Sequence, residues 1–507
     1  MKKIITLLAL VANIAAASAN DYTDSLEVEV NGVATTQAAT ISLDRQADGS
    51  YSFILKNFIL ESEGQQMGVG TIEVNRVSGV TANGVTTLLA RQDITIKEGD
   101  GLSPSGIWIG PKMLGIVPVQ LVAEQRGDKL YAVIDIDLKS SLDKVIKVTF
   151  GNGGYRIGNS DFEAFHQENG IAEPNHWHSF ASSKGSLSAF VSKTPHTFVS
   201  DVTRPGTSGK SSVMLTSAKI FGIVANGTIT TGRMNAGGFT ASDPANHAET
   251  DLGDMSTDSN GDPFYTMING VPDSLVVWVK FTRGTPNAEH PYATVSATVT
   301  DGTYYQEPHD KTYDNIVATA ANRAIATNGY QWQRISVPFQ RVSASLDPKA
   351  VLVTLSTNAD PGQGSIDTLY VDDLSLVYKQ DIGVKGIAVM GQDLSVADTM
   401  TLNSVASTLI SEDNITVNTE AAKVVKAIET TAEGIVAHIA VASQDLKTFK
   451  LYHIIMRGAV AGIDGPTAVN GPTTAVYNLQ GQRVDSMAPG KINIVDRNGK
   501  RVKVLRK

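Results

Sequence analysis

Short runs in which apolar and polar residues alternate, broken by Gly, Asp, Asn or Pro, recur along most of this chain: 27–31, 39–43, 51–55, 70–74, 129–138 and 145–150 are the clearest. A period of two places alternate side chains on opposite faces of a strand, so each run buries one face and solvates the other. Most runs are rich in β-branched or aromatic residues with turn formers between them, the pattern of antiparallel sheets. The 3.6-residue period of helices is scarce. Only 420–429 suggests a short helix, and its valines and flanking threonines fit a strand nearly as well. The expected fold class is therefore all-β.

A chain of 507 residues exceeds what one hydrophobic core supports, and about three or four domains are expected. The formal net charge of −9 argues against a nucleic-acid or anionic-membrane partner, either of which favours a strongly basic surface. At the N-terminus, Lys2 and Lys3 precede an apolar run over 4–12, and Ala17-Ser18-Ala19 has the small-x-small form of a signal-peptidase site. That pattern predicts export, with a mature chain from Asn20, at the cell surface, outside it or in the periplasm. The apolar run is too short to span a bilayer, and no second stretch of spanning length follows, so no transmembrane segment is expected in the mature chain. The absence of cysteine rules out a disulfide framework. Stability is then left to sheet packing and a metal.

The segment 20–150 contains DGSYSFILKNF (48–58), MGVGTIEVNRV (67–77) and two alternating strands over 131–150. On these it resembles the small calycin-like domain of secreted bacterial proteins, which implies a β-barrel. The segment 151–380 opens on a glycine-rich link and SDFEAF (160–165). It continues through RPGTSGKSSVMLTS (204–217) and YQWQRISVPF (330–339), and closes on DTLYVDDLSLVY (367–378). It resembles bacterial carbohydrate-binding jelly rolls and, more closely, the carbohydrate metabolism domain of secreted gut-type proteins. The segment 381–457 resembles a small immunoglobulin-like β module. A linker rich in Gly, Pro, Ala and Thr is read over 458–473. The basic piece at 474–507 resembles C-terminal tails that direct proteins through the type IX secretion route, or is a small solvated β-tail.

Chemistry is suggested at a few places. In an unbroken strand over 369–378, Asp372 shares a face with Tyr370, Leu374, Leu376 and Tyr378, where an unpaired carboxylate is costly. Backbone N–H groups, a basic side chain or a bound cation are the candidates to satisfy it. The jelly-roll resemblance implies that the first and last strands lie side by side, which would join Asp161, Glu163 and Asp372 in a structural Ca²⁺ site. The acidic run 251–262, DLGDMSTDSNGD, lacks the glycine and glutamate of a calcium loop and is expected to be a polar surface loop. In NHWHSF (175–180), His176 and His178 share a strand face, but no further metal ligand lies near in sequence, so both are expected at the surface.

Sugar recognition calls for aromatic faces beside amides and carboxylates. Trp177, Trp332, Tyr304 and Tyr305 are the candidate ligand contacts, the two tyrosines lying in a loop rich in Gln, Glu, His and Asp; Trp278, between valines, reads as core. There is no cysteine nucleophile and no G-x-S-x-G elbow, and sequence alone selects no catalytic carboxylate pair among 51 acidic residues. The expectation is an exported, non-catalytic protein that binds a glycan or another extracellular ligand. A glycan hydrolase using acids of the jelly roll and a structural or adhesive surface protein are the alternatives.

Overall fold

In the computed structural model the described residues are 19–62, 65–139, 143–285, 289–403, 411–431, 434–457, 473–478, 482–487, 492–497 and 500–505. The export signal read over 1–19 and the linker read over 458–473 lie almost wholly outside them. Two compact units emerge. One contains 1–383 together with 420–423 and 441–450, and the other contains 384–419, 424–440 and 451–507. The boundary read near 380 thus marks the end of the first continuous stretch only. No helix among the described residues is long and apolar enough to cross a membrane.

The first unit opens with a closed eight-stranded barrel in up-and-down order. Its strands are β1 (Ala19–Val30), β2 (Val33–Arg45), β3 (Tyr51–Ser62), β4 (Gln65–Ala82), β5 (Val85–Thr95), β6 (Ile116–Arg126), β7 (Lys129–Leu138) and β8 (Lys144–Phe150). Pairing of β1 with β8, Leu26 opposite Phe150, closes it. The β1–β2 and β4–β5 turns are Asn31-Gly32 and Asn83-Gly84, with positive φ at all four residues, as two-residue hairpins of the twist-compatible type require. The alternating apolar residues point inward: Leu26, Ile41, Phe53, Val74, Leu88, Leu121, Ala132 and Phe150, one from each strand, join one buried cluster. Side chains therefore pack the interior, as in small barrels.

A sandwich follows, made of two five-stranded antiparallel sheets. One runs in the order Thr197–Ser200, Ser212–Thr216, Thr368–Val377, Ser274–Thr282, Gln333–Pro338. The other runs Thr228–Thr230, Ala350–Ser356, Ala293–Thr300, Ile316–Ile325, Gln340–Arg341. Val213, Val277, Val279, Leu369 and Val371 of the first sheet pack with Val295, Val299, Val351, Val353 and Leu355 of the second to form the core. Residues near 161 and 372 do adjoin, since Leu374 N donates to Ser160 O at 2.8 Å. The contact comes from a loop, not from a first strand lying along the last: the neighbours of Thr368–Val377 are Ser212–Thr216 and Ser274–Thr282.

The second unit is also β. Its sheets include Val384–Val389 between Gln392–Leu394 and Ile415–Thr419, and the four strands Thr473–Tyr477, Arg483–Val484, Ile492–Arg497 and Lys500–Leu505 of the C-terminal segment. The stretch with some helical character forms the strand Lys423–Thr431, so sheet pairing decided the ambiguity in favour of its β-branched residues.

Candidate ligand-binding site

Across the second sheet of the sandwich, alternation sends valines, alanines and leucines to the core and hydroxyls to the opposite face. Register sets Thr294 opposite Ser356 and Ser296 opposite Thr354, and Thr228 opposite Ser356 on the other side. The result is a floor of short hydroxyl side chains crossing three strands. Thr228 Oγ1 donates to Ser356 Oγ at 3.1 Å and Thr354 Oγ1 to Thr230 Oγ1 at 3.3 Å.

Above this floor lies a cavity of about 540 Å³ whose walls are mostly apolar, including Leu187, Val191, Phe221, Ile223, Met234 and Phe239. The hairpin Ala218–Ile220/Ile223–Ala225 turns at Phe221 and Gly222, both at positive φ, and so holds the Phe221 ring outward. Phe221 and Phe239 are 64% and 67% exposed, with ring centroids 6.2 Å apart, and Phe190 meets Phe221 at 5.3 Å. Large apolar rings left in water around a concavity mark a binding surface more than a folding need.

A few polar groups converge among the apolar ones: Glu307, His309, His247 and Arg323 also line the cavity. Burial raises the Glu307 carboxyl above its usual range, and its Oε2 lies at 3.5 Å from the Ser296 hydroxyl that donates to it. Arg323 Nη2 donates to Ala359 O at 2.7 Å, which anchors the guanidinium at the rim. An apolar enclosure with sparse, fixed polar groups is the usual make-up of a small-molecule site. A ligand with one apolar face and several hydroxyls would match it.

The aromatic residues singled out from sequence fall in different places. Tyr304 and Tyr305 stand behind the cavity wall and support it. The Tyr304 hydroxyl donates to Gln306 Oε1 at 2.8 Å and lies 3.2 Å from Glu249 Oε2, the oxygen that also holds His247 Nε2 at 3.1 Å. Tyr305 is buried, its hydroxyl 3.0 Å from His309 Nε2. Trp332 is half-buried on the other sheet, edge-on to Tyr370. Trp177 is 0% exposed, packed against Phe162 with Nε1–H donating to Gly158 O, so it offers no face to a ligand. Trp278, read as core, is only half-buried, with the Arg204 guanidinium over its ring. The cavity's phenylalanines were missed because isolated apolar residues in loops carry no period.

The acidic expectations need revision too. Strand Thr368–Val377 is not unbroken: pairing shifts between Val276↔Ser375 and Trp278↔Asp372, with Asp373 at φ 42°. This bulge moves the core face from Leu369 and Val371 to Leu374 and Leu376, so Asp372 sits with Tyr370 on the other face, buried under the loop that carries Arg204. Arg204 N donates to Asp372 Oδ2 at 2.8 Å, and the Arg204 guanidinium pairs with Asp373. Glu163 Oε1 accepts from Lys210 N and Ser211 N at 2.9 and 3.0 Å. Asp161, Glu163 and Asp372 belong to no group among the described residues whose ligand atoms lie within 4.8 Å of one another. Asp372 Oδ2 and Glu163 Oε1 are already engaged, and the three residues do not form a ready Ca²⁺ shell. His178, expected at the surface, is 0% exposed, as is the Asp258 side chain of the acidic run; His176 stays half-exposed beside Asp262.

Residues 19–153 match the family described as Calycin-like beta-barrel domain, the span of the closed barrel. No curated protein matches the chain. Among solved structures it is similar to "The structure of the M60 catalytic domain with the CBM51-1 and CBM51-2 domains from Clostridium perfringens ZmpB", at 9% identity and a TM-score of 0.15, over 94% of this chain and 44% of that one. It is also similar to a fructofuranosidase from Schwanniomyces occidentalis complexed with fructose, at 8% identity and a TM-score of 0.12, over 67% of this chain and 79% of the other. The chain thus spans less than half the length of the first, and likenesses this slight define no shared fold.

Proposed function

We propose that this is an exported binding protein that takes a glycan in the cavity over the hydroxyl floor of the sandwich. The observation that carries this reading is the pairing of exposed Phe221 and Phe239 with a floor of Thr228, Thr294, Ser296, Thr354 and Ser356. Sugar rings present an apolar face of C–H groups and an edge of hydroxyls, so one face packs on the aromatic rings while the edge exchanges hydrogen bonds with the floor. Glu307 and Arg323 supply the stronger polar contacts. Export follows from the basic, apolar and small-residue order of the first nineteen positions.

The test is a glycan array with the full mature chain, followed by titration of any hit against F221A and F239A. Binding weakened by about tenfold or more in either variant, the loss expected of an aromatic anchor, supports the reading. A folded protein that leaves the array blank refutes the glycan, and a hit that both variants retain at full affinity moves the site elsewhere.

A further inference from the structure

A second cluster of side chains takes no part in the cavity. The hairpin of Phe165–Glu168 and Ile171–Pro174 turns at Asn169-Gly170, with φ of 51° and 81°, and its register sets His166 opposite Glu173. Residues directly opposite share a face, so an imidazole and a carboxylate emerge together. His178 is brought to the same point by a bridge to Thr230, with N–H···O bonds of 2.8 Å in both directions. Asp258 arrives on the acidic loop, oriented by Asn260 N and Asp262 N, which both donate to its Oδ1 at 2.9 Å.

Glu173, His178 and Asp258 bring ligand atoms within 4.8 Å of one another, and His166 adjoins Glu173 and Asp258; the atoms are His166 Nε2, Glu173 Oε2, His178 Nδ1 and Asp258 Oδ2. Asp258 Oδ2 is 3.4 Å from His166 Nε2 and 3.5 Å from His178 Nδ1, and Glu173 Oε2 is 3.9 and 4.0 Å from the same two nitrogens. None of the four has a hydrogen-bond partner among the described residues. The side chains of Glu173, His178 and Asp258 are 0% exposed and that of His166 is 10% exposed.

The remaining polar atom of each side chain is held from outside. His178 Nε2 faces Pro263 O at 3.1 Å, and a carbonyl only accepts, so the proton sits on Nε2 and the Nδ1 lone pair points inward. His166 Nδ1 faces Asn175 Oδ1 at 3.2 Å, which turns the Nε2 lone pair inward in the same way. Glu173 Oε1 accepts from Ser179 N and Oγ at 2.5 and 2.6 Å. The buried centre is thus four acceptors with no donor among the described residues, an arrangement that a cation, added protons or a donating water relieves. Burial opposes both charged forms, raising Glu173 to about 7 and lowering His178 to about 4.

We propose that His166, Glu173, His178 and Asp258 bind a divalent transition-metal ion of the zinc class in a closed four-ligand centre, clasping the acidic loop to the 165–174 hairpin. Nitrogen and oxygen ligands about 2.0–2.1 Å from a tetrahedral metal stand about 3.3–3.4 Å apart, so the two shorter separations already fit and the two longer ones close by about half an ångström. Two imidazoles select against Ca²⁺ and Mg²⁺, which prefer oxygen throughout. The outer hydrogen bonds of all four residues are the kind that orient ligands around a metal. Glu168 Oε2, which accepts from Ser259 N at 2.9 Å, lies 3.9 Å from His166 Nε2.

The test uses the full chain, purified without chelator, for metal content, and then the chelated protein titrated with Co²⁺ and with Zn²⁺. About one equivalent of metal per chain, a visible tetrahedral Co²⁺ spectrum displaced by Zn²⁺, and a rise in Tm with Zn²⁺ but not Ca²⁺ are expected. S179A, which removes one of the two donors to Glu173 Oε1 together with the cap on Ala181 N, should weaken Zn²⁺ binding about 10- to 100-fold, and H178A should abolish it. A folded, chelated wild type that gives neither a Co²⁺ spectrum nor a Zn²⁺-dependent Tm shift overturns the proposal and leaves a proton-sharing cluster. So does Co²⁺ binding that S179A and H178A leave unchanged.

Discussion

Two acid-rich places on the same sandwich have opposite chemistry. Around Asp372, every carboxylate that the structure engages finds a donor: the Arg204 backbone for Asp372, its guanidinium for Asp373, and the N–H groups of Lys210 and Ser211 for Glu163. Around Asp258, the inward oxygens, Glu173 Oε2 and Asp258 Oδ2, meet imidazole lone pairs and no donor among the described residues. Acidic composition is therefore a poor guide to a metal. What separates a cation site from a saturated acid cluster is the balance of donors and acceptors after folding.

Chelation in combination with mutation should separate the two places most widely. In metal-loaded protein, Asp258→Ala should erase the sensitivity of Tm to a chelator, whereas Asp372→Ala should keep that sensitivity while lowering stability by about 1–3 kcal/mol through the unpaired Arg204 N–H. Thermal melts with and without chelator read both. Chelator sensitivity lost in Asp372→Ala instead would return the metal to the cluster at 161–163 and 372.

A smaller effect is expected in pH. Burial, with the charge of Asp373 beside it, raises Asp372 from 3.8 to about 6 in the folded protein. The folded chain then keeps a proton that the unfolded chain releases, so this residue favours folding most at low pH and its contribution declines as pH rises from about 4 to about 6. Asp372→Asn should flatten the stability profile in that window; denaturant titrations at pH 4, 5 and 6 measure it. A stability difference between wild type and Asp372→Asn that stays constant from pH 4 to pH 6 would contradict the assignment.

Glu163→Gln should change least. The amide oxygen still accepts from Lys210 N and Ser211 N, and a hydrogen bond to an ionised acceptor exceeds one to a neutral acceptor by about 1 kcal/mol. A loss near that size in urea titration, with no change on adding Ca²⁺, fits a saturated carboxylate. A loss several times larger that Ca²⁺ reverses in wild type would not.

The same contrast shows where sequence reading succeeded. The barrel was legible because its strands alternate cleanly and its Asn-Gly turns demand tight hairpins, so local pattern and closure agree. The hairpin behind the metal centre carried that signal as well: Asn169-Gly170 alone would have set His166 across from Glu173. Asp372 misled because alternation presumes an unbroken strand, and one extra residue at Asp373 exchanges the faces. His178 and Asp258 looked superficial because each meets the other from a distant part of the chain, beyond the reach of any local spacing rule.

Taken alone, the order of residues determined the all-β class, the inward and outward faces of most strands and the turns that join them, because these follow from period and from φ preferences within a few residues. Only the tertiary structure decided which acids are saturated and which face one another, which nitrogen of each buried histidine carries its proton away from the centre, and where exposed phenylalanines gather over a floor of hydroxyls. Those outcomes depend on register and on contacts between distant segments, where a shift of one residue reverses the side from which a charge is met.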